Sequence, residues 1–170
     1  VGNSAGYGGG LHLWSCNGVL AANTIVSNTA WAWGGGIYLE SSYGITMSGN
    51  IVSFNTGQDG GGIYLERGTA SLDNNFVTDN TLSGGSGAGI YIVESSPCLR
   101  HNTIARNRGE GLYVTNWGIV SSQPRLYNTI LVSHTVGIAV GMGNTVTLEA
   151  TLWGGGLWNN ETDWEGDGSI

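Results

Sequence analysis

The sequence predicts an all-β protein, a parallel β-helix of about six rungs with three short strands in each rung. Three observations support this prediction. The 170 residues include 31 Gly and only 10% charged residues, and Gly costs a helix interior about 1 kcal/mol relative to Ala. Short runs rich in Val, Ile, Thr and Tyr are bounded by Gly, Asn and Ser, a pattern typical of strands joined by tight turns. Finally, the sequence repeats every 26 residues or so, as the coils of a solenoid do.

The first strand of each rung follows a glycine, as in GGGIYLE, which occurs twice. The apolar runs are preceded by Gly10, Gly36, Gly62, Gly89, Gly111 and Gly137, with steps of 26, 26, 27, 22 and 26 residues. Apolar residues alternate within each run, as Ile37 and Leu39 do, so these side chains point into the coil. We expect the glycines to allow a sharp turn, including positive φ, at each corner.

Two further columns complete each rung. A second strand carries Leu20, Met47, Leu72, Leu99 and Leu126, and a corner before the third strand carries Asn23, Asn50, Asn75, Asn102 and Asn128. The asparagines are expected to stack, each amide bonding to those above and below, as in other structures of stacked strands. Equivalent strands in neighbouring rungs then pair about 4.8 Å apart.

Charge and hydropathy exclude two classes of partner. The net charge is -7, there is no Lys, and no Arg-rich run occurs. Nucleic-acid binding is not expected, because its affinity depends largely on neutralising phosphates. No run approaches 18 uninterrupted apolar residues, so no membrane-spanning helix is predicted.

The repeated GGGIYL and NTIVSN patterns resemble the right-handed parallel β-helix proteins of the pectin-lyase superfold. They are most similar to secreted bacterial repeat proteins and to polymorphic outer-membrane and autotransporter passengers. The resemblance covers roughly residues 8–153 and implies a right-handed coil at an extracellular or cell-surface location. The superfold includes lyases, hydrolases, adhesins and structural fibres, so it does not select one function. Since the chain begins at Val1, we expect a piece of a longer solenoid.

The outward positions of the first strands form an aromatic strip: His12, Tyr38, Tyr64, Tyr91 and Tyr113. Rigid rings with polar tips, exposed to solvent, would suit a polysaccharide or a protein partner. The alternative is that stacked tyrosines stabilise a parallel sheet by packing on one face. The sequence leaves both interpretations open.

A second outward column contains Glu40 and Glu66, with Arg67 next to Glu66. Two carboxylates one rung apart repel unless a cation or a shared proton lies between them. The resemblance to pectate lyases implies that this face carries calcium-binding acids and a basic catalytic residue. These three residues are therefore the candidate catalytic groups, although the face offers fewer acids than such a lyase uses.

We divide the chain into a β-helix repeat domain, residues 1–153, and a tail or cap of the same domain, residues 154–170. The tail contains Trp158 and Trp164 and is expected to cover the last rung or to dock on another subunit.

Asp163, Glu165 and Asp167 have the spacing of a calcium loop, but the terminal Glu of such a loop is missing. Calcium is the only cofactor that the sequence suggests. A separate charge cluster contains Arg100, His101, Arg106 and Arg108.

The function predicted from these features is a non-catalytic extracellular or cell-surface scaffold that binds, adheres or forms filaments. Binding would use the aromatic strip, and self-association would use the open ends of the solenoid. The alternative is a polysaccharide lyase of the pectate-lyase type or a glycoside hydrolase. A third class, ice binding, would use an outward column of Thr24, Thr103, Thr129 and Thr151, which Ile51 and Phe76 interrupt.

Overall fold

A computed structural model describes the whole chain, Val1–Ile170, and contains 23 strands and one three-residue 3₁₀ helix, Gly156–Trp158. No helix has the length and apolar composition needed to cross a bilayer. The strands are β1 (Ser4–Ala5), β2 (Leu11–Trp14), β3 (Gly18–Ala21), β4 (Thr24–Val26), β5 (Thr29–Ala30), β6 (Ile37–Glu40), β7 (Tyr43–Ser48), β8 (Ile51–Ser53), β9 (Thr56–Gly57), β10 (Ile63–Glu66), β11 (Thr69–Asp73), β12 (Phe76–Thr78), β13 (Thr81–Leu82), β14 (Ile90–Val93), β15 (Cys98–Arg100), β16 (Thr103–Ala105), β17 (Glu110–Thr115), β18 (Arg125–Tyr127), β19 (Ile130–Val132), β20 (Val136–Val140), β21 (Thr147–Glu149), β22 (Leu152–Trp153) and β23 (Thr162–Glu165).

The strands form four parallel sheets that the chain visits in turn. Sheet I has the order β2-β6-β10-β14-β17-β20-β23, sheet II β3-β7-β11-β15-β18-β21, sheet III β4-β8-β12-β16-β19-β22, and sheet IV β1-β5-β9-β13. Each strand pairs with its equivalent in the next rung, as Ile37 does with Ile63. The predicted parallel β-helix of about six rungs is confirmed.

The core fills the coil between sheets I, II and III. Twenty-two buried apolar residues form one continuous cluster, in which each layer repeats the one before. Sheet I contributes a column that includes Ile37, Ile63 and Ile90, and these side chains have no solvent exposure. Burying each such side chain contributes roughly 1.5–3 kcal/mol, which makes this column a main source of stability.

The predicted asparagine ladder exists, but its last member is wrong. The amide of Asn75 donates to Asn102 Oδ1 at 3.0 Å, and its own Oδ1 accepts from the amide of Asn50 at 2.9 Å. Thr129 occupies the next ladder position, because Ile130 N–H donates to the Asn102 carbonyl. Asn128 lies one residue earlier, in a left-handed turn with φ of 46°.

The same one-residue difference changes the outward threonine column. In register with Thr24 and Thr103 are Ile51, Phe76, Ile130 and Leu152. Thr129 and Thr151 therefore do not belong to this column. A flat threonine array of the kind expected for ice binding is absent from this face.

A second asparagine ladder, which we did not predict, lines the corner after sheet III. Its members are Asn3, Asn28, Asn55, Asn80, Asn107, His134 and Asn160. Both ladders satisfy buried backbone N–H groups; for example, Asn55 Oδ1 accepts from the backbone of Asn28 at 2.9 Å. Buried polar backbone groups need such partners, so the ladders stabilise two corners of every rung they cross.

Sheet IV exists only in the first four rungs. From Asn80 to Ile90 the chain takes ten positions to return to sheet I, but from Asn107 to Leu112 it takes five. This shortening explains the step of 22 residues between Gly89 and Gly111. The prediction of three strands per rung omitted the short fourth strand of the early rungs. Where sheet IV ends, the wider rungs overhang the narrower ones, and we call this overhang the ledge.

The repeated GGG has two physical causes. The positive φ that we expected at the glycine directly before each first strand is wrong at Gly36, and it occurs two residues earlier, at Gly34, with φ of 67°. Gly35 has a different requirement, because a Cβ there would lie 2.3 Å from the Gly61 carbonyl oxygen and 2.4 Å from the Thr56 carbonyl carbon. The backbone of one rung thus approaches the next too closely for any side chain.

The C-terminal tail continues the coil. Strand β23 adds a seventh strand to sheet I, pairing Trp164 with Ile138, and Ser169 bridges to Thr145. Trp153 packs against the end of the core, while Trp158 remains exposed. The tail therefore extends the solenoid by a partial rung.

Candidate binding face

The outer face of sheet I carries the predicted aromatic strip in register. His12 pairs with Tyr38, Tyr38 with Tyr64, Tyr64 with Tyr91, and Tyr91 with Tyr113. Successive ring centroids are 4.6, 5.3, 4.6 and 5.1 Å apart. These distances lie in the range of favourable aromatic contacts, so the rings form one continuous row, in which Tyr38 and Tyr64 meet edge-on at 81°.

The centre of the strip is buried, and the expectation that it faces solvent is wrong there. Tyr38 is 2% exposed and Tyr64 is 1% exposed. The indole of Trp33 covers them, stacking on Tyr64 at 5.3 Å with an interplanar angle of 12° and meeting Tyr38 edge-on at 5.9 Å. Trp117 lies 6.2 Å beyond Trp33. The middle of the strip is thus a second apolar cluster outside the coil.

Only the ends of the strip reach solvent. The side chain of His12 is 38% exposed, and Tyr7, whose ring lies 6.0 Å from Tyr38, is also exposed. At the other end, Tyr91 and Tyr113 are half-buried. Burial raises the pKa of Tyr38, Tyr64 and Tyr91 well above the ordinary value, so these hydroxyls remain protonated donors.

An ion cluster with buried carboxylates adjoins the strip, formed by Tyr38, Glu66, Arg67, Glu94 and Trp117; we call it the Arg67 cluster. Tyr38 Oη donates to Glu66 Oε2 at 2.5 Å, and Arg67 Nη1 lies 3.1 Å from Glu66 Oε1. Arg67 Nε donates to Glu94 Oε2 at 3.0 Å, and the guanidinium lies 5.1 Å from the Trp117 ring centroid. Both carboxylates are buried, so losing one partner would leave an uncompensated charge.

The two ionic partners in this cluster hold each other in their charged forms. Burial pushes the pKa of Glu94 upward, but hydrogen bonds from Arg67 and from the backbone of Ile119 and Trp117 lower it below its ordinary value. The same hydrogen bond to Glu94 raises the pKa of Arg67. Proton abstraction by Arg67 would require a neutral guanidine, and these contacts oppose its formation.

Sequence reasoning missed Glu94. Val93 occupies the register position of Glu66, and the acid follows one residue later, at the position equivalent to Arg67. The sequence signal is the change from YLER at 64–67 to YIVE at 91–94. It places the glutamate one residue later, where its carboxylate reaches Arg67 of the preceding rung. A comparison of equivalent corners would have found the pair.

Glu40, the other predicted acid, does not join Glu66. Its carboxylate lies 3.5 Å from His12 Nε2 and is 31% exposed, although the two glutamates are in register. Glu66 instead bonds to Tyr38 and Arg67. The candidate catalytic groups are therefore divided between two separate contacts, Glu40 with His12 and Glu66 with Arg67.

A recess of about 290 Å³ opens at the exposed end of the strip. Its walls are aromatic and its polar groups are two carboxylates and one imidazole; the lining residues are Tyr7, His12, Trp33, Tyr38, Glu40 and Glu66. We call it the strip recess. Its volume is at the lower end of that of small-molecule sites, so it would accommodate one ring-sized group.

The calcium loop expected in the tail does not form. Asp163 and Glu165 lie in strand β23, and the Asp163 carboxylate accepts a hydrogen bond from the Asn160 amide at 3.1 Å. An extended strand cannot curl its carboxylates around one ion as a calcium loop does. Asp167 follows beyond the strand, and no three His, Cys, Asp or Glu side chains converge anywhere in the chain.

The fold and this face define a parallel β-helix with an aromatic strip partly buried beneath its own loops. A family model described as "Periplasmic copper-binding protein (NosD)" matches residues 1–160. The chain belongs to this family of right-handed parallel β-helices, which confirms the predicted resemblance. No curated protein and no solved structure matches the chain.

The donors of this chain do not fit a copper site. Copper prefers imidazole, thiolate and thioether ligands. The imidazole and thiol donors are His12, His101, His134, Cys16 and Cys98, and they form no group of three. Of the two thioethers, Met47 is buried in the hydrophobic core and Met142 is exposed. His12 pairs with Glu40, and both ring nitrogens of His134 are engaged in the second ladder.

Proposed function

We propose that this chain is a non-catalytic β-helix scaffold of the cell envelope that binds a polysaccharide through the strip recess. The supporting observation is the recess itself, where Tyr7 and Trp33 provide aromatic walls and Glu40 provides an acceptor beside them. A protein partner at the same face is the alternative. The envelope location follows the family's description as periplasmic.

A sugar ring suits this geometry for two reasons. Its C–H face packs on aromatic rings, and its hydroxyls donate to carboxylates, so aromatic walls and acidic groups recognise different sides of it. The buried centre of the strip, Tyr38 and Tyr64, fixes the walls in place. Rigid walls lower the entropy lost on binding.

The non-catalytic part of the proposal follows from the Arg67 cluster. Arg67 is held charged between Glu66 and Glu94, so it is unsuited to act as a base. We therefore expect no unsaturated or reducing sugars from acidic polysaccharides, with or without calcium. Turnover that Glu66→Gln or Arg67→Ala abolished would instead support the lyase or hydrolase alternative.

Copper binding, which the family's description names, is not part of this proposal, because the donors lie apart. Titration of the purified chain with Cu²⁺, followed by electron paramagnetic resonance, checks this point. A stoichiometric copper signal with nitrogen or sulfur coupling would show that these donors do form a copper site.

Self-association through the open ends is a second part of the proposal. The outer edges of β2, β3 and β4 have no neighbouring strand, and Leu11, Leu13 and Leu20 are only partly buried. Such edges pair readily with another chain, which would produce an adhesive fibre. Sedimentation at increasing concentration tests this, and a monomer at every concentration would exclude it.

Binding is tested with rim residues, because removing Tyr38 or Tyr64 would also disturb packing. Tyr7→Ser should weaken oligosaccharide binding measured by calorimetry, while Tyr43→Ser, at another exposed tyrosine that lies outside the strip recess, should not. Circular dichroism should be unchanged in both variants. Equal losses in the two variants, or no binding across neutral and acidic oligosaccharides, would refute the proposal.

A further inference from the structure

A larger recess lies beside the ledge, at the corner between sheets III and I. Its volume is about 550 Å³, and no apolar side chain lines it. It forms because the later rungs lack sheet IV and turn into sheet I within four or five residues. We call it the ledge recess; its polar lining includes Arg106, Arg108, Thr135, Asn159 and Glu161.

Arg108 supplies an uncompensated positive charge to this recess. The chain has only five cationic side chains apart from histidine, and three of them pair with carboxylates: Arg67, Arg100 and Arg106. Arg106, in the same recess, is neutralised by two hydrogen bonds to Asp79 at 2.8 and 2.7 Å. Arg108 has no ion-pair partner within 4 Å.

Glu161 supplies the opposite charge at the other end of the ledge recess. It is exposed and forms no ion pair, with Arg108 or with any other residue. His134 lies between them but is neutral at pH 7, because burial lowers its pKa to about 4. The recess therefore presents one free cation and one free anion to solvent.

The spacing of these two charges is set by the coil. Arg108 follows Asn107 and Glu161 follows Asn160, and these ladder residues are two rungs apart, with His134 between them. At about 4.8 Å per rung, the two backbone positions are separated by about 10 Å along the axis. An extended tripeptide spans about 10 Å, so its two charged termini match this separation.

We propose that the ledge recess binds a short zwitterionic peptide, with its carboxylate on Arg108 and its ammonium group on Glu161. Arginine binds carboxylates in a bidentate arrangement, which orients the ligand as well as attracting it. Thr135, whose side chain makes no hydrogen bond within the protein, follows His134 on the middle rung and faces the peptide groups between its ends. Asn159, also without a side-chain hydrogen bond, lies on the rung of Glu161. This site is independent of the strip recess and of the function proposed for it.

Triglycine is the probe, and its N-acetyl and C-terminal amide forms each lack one charge. We expect saturable chemical-shift changes in nuclear magnetic resonance spectra around Arg108 and Thr135, and about tenfold weaker binding of either blocked form, the effect of losing one charge-assisted contact. Arg108→Gln should bind triglycine and its amide equally. Glu161→Gln should bind triglycine and its N-acetyl form equally.

Arg125→Gln is the matched control, because Arg125 is also exposed and without an ion-pair partner but lies on sheet II, outside the recess. It should bind all three probes like the parent chain. The proposal fails if triglycine gives no saturable change, if the blocked forms bind as well as triglycine, or if Arg125→Gln reproduces the effect of Arg108→Gln. Circular dichroism of each variant verifies that the coil is intact.

Discussion

The hydroxyl of Tyr38 donates a hydrogen bond of 2.5 Å to the carboxylate of Glu66, which lies one rung further along sheet I. Both side chains are almost fully buried, on the outside of the coil. This bond links the aromatic strip to the Arg67 cluster, so the two features of the face stabilise each other.

Tyr38→Phe tests this link. The variant keeps the stacked ring but removes a donor to a buried charge, and we expect a loss of about 2 kcal/mol in the free energy of unfolding, measured with urea. Tyr113→Phe is the control, since Tyr113 is half-buried and its hydroxyl has no protein hydrogen bond. Equal stability of the two variants would show that the Tyr38 hydroxyl contributes nothing.

Asn75→Ala should break the first asparagine ladder. It removes the acceptor of the buried Asn50 backbone N–H and the donor to the Met47 carbonyl, so we expect a loss of about 3 kcal/mol or more. Asn17→Ala, at an exposed asparagine outside both ladders, should change stability by less than about 0.5 kcal/mol. Thermal unfolding followed by circular dichroism measures both; a stable Asn75→Ala variant would contradict a stabilising role of the ladder.

Gly35→Ala should prevent correct folding of the second and third rungs. Its new methyl group would overlap backbone atoms at 2.3 and 2.4 Å, which cannot move without separating the rungs. Gly155→Ala provides the comparison, because that position has open space and φ of -129°. Soluble yield and cooperative unfolding distinguish the two, and normal unfolding of Gly35→Ala would show that the rungs can separate.

His134 should make stability depend on pH. Its folded pKa, about 4, is below the ordinary value of 6.5, so the unfolded chain binds the proton first as pH falls. The resulting loss of stability begins below pH 6.5, reaches on the order of 3 kcal/mol near pH 4, and is absent above pH 6.5. The imidazole donates from Nδ1 to Asn160 and accepts at Nε2 from Asn107, and protonation at Nε2 would end the second contact.

His134→Asn restores the residue type of the ladder and is the matched variant for this prediction. Urea unfolding at pH 7, 5.5 and 4.5 should show a shallower decline for the variant than for the parent chain. Carboxylates such as Glu94 contribute equally to both, so the difference isolates the histidine. If the free energy of unfolding falls equally with pH in the variant and in the parent chain, His134 is not the cause of this pH dependence.

The sequence predicted the coil because its core repeats with a regular period, but it could not predict features that depend on non-repeating segments. The same holds for single residues at a corner: Trp33 is in register with Asp59 of the next rung, so its covering of Tyr38 and Tyr64 has no periodic signal. The Asn128 error has a different origin. The letters NTI occur at 102–104 and at 128–130, yet Ile104 is in register with Leu131, so matching the letters shifts the strand by one residue.

The corner between the second ladder and sheet I accommodates between four and ten residues without disturbing the register on either side. Asn80 and Asn107 fix one end of this segment, and the close-packed glycines before sheet I fix the other. Length variation is thereby confined to this corner segment, and the residues that flank it keep their positions in every rung. Foreign loops grafted after Asn107 would be displayed on the narrow rungs, and this coil could serve as a frame for presenting chosen peptides at spacings set by whole rungs.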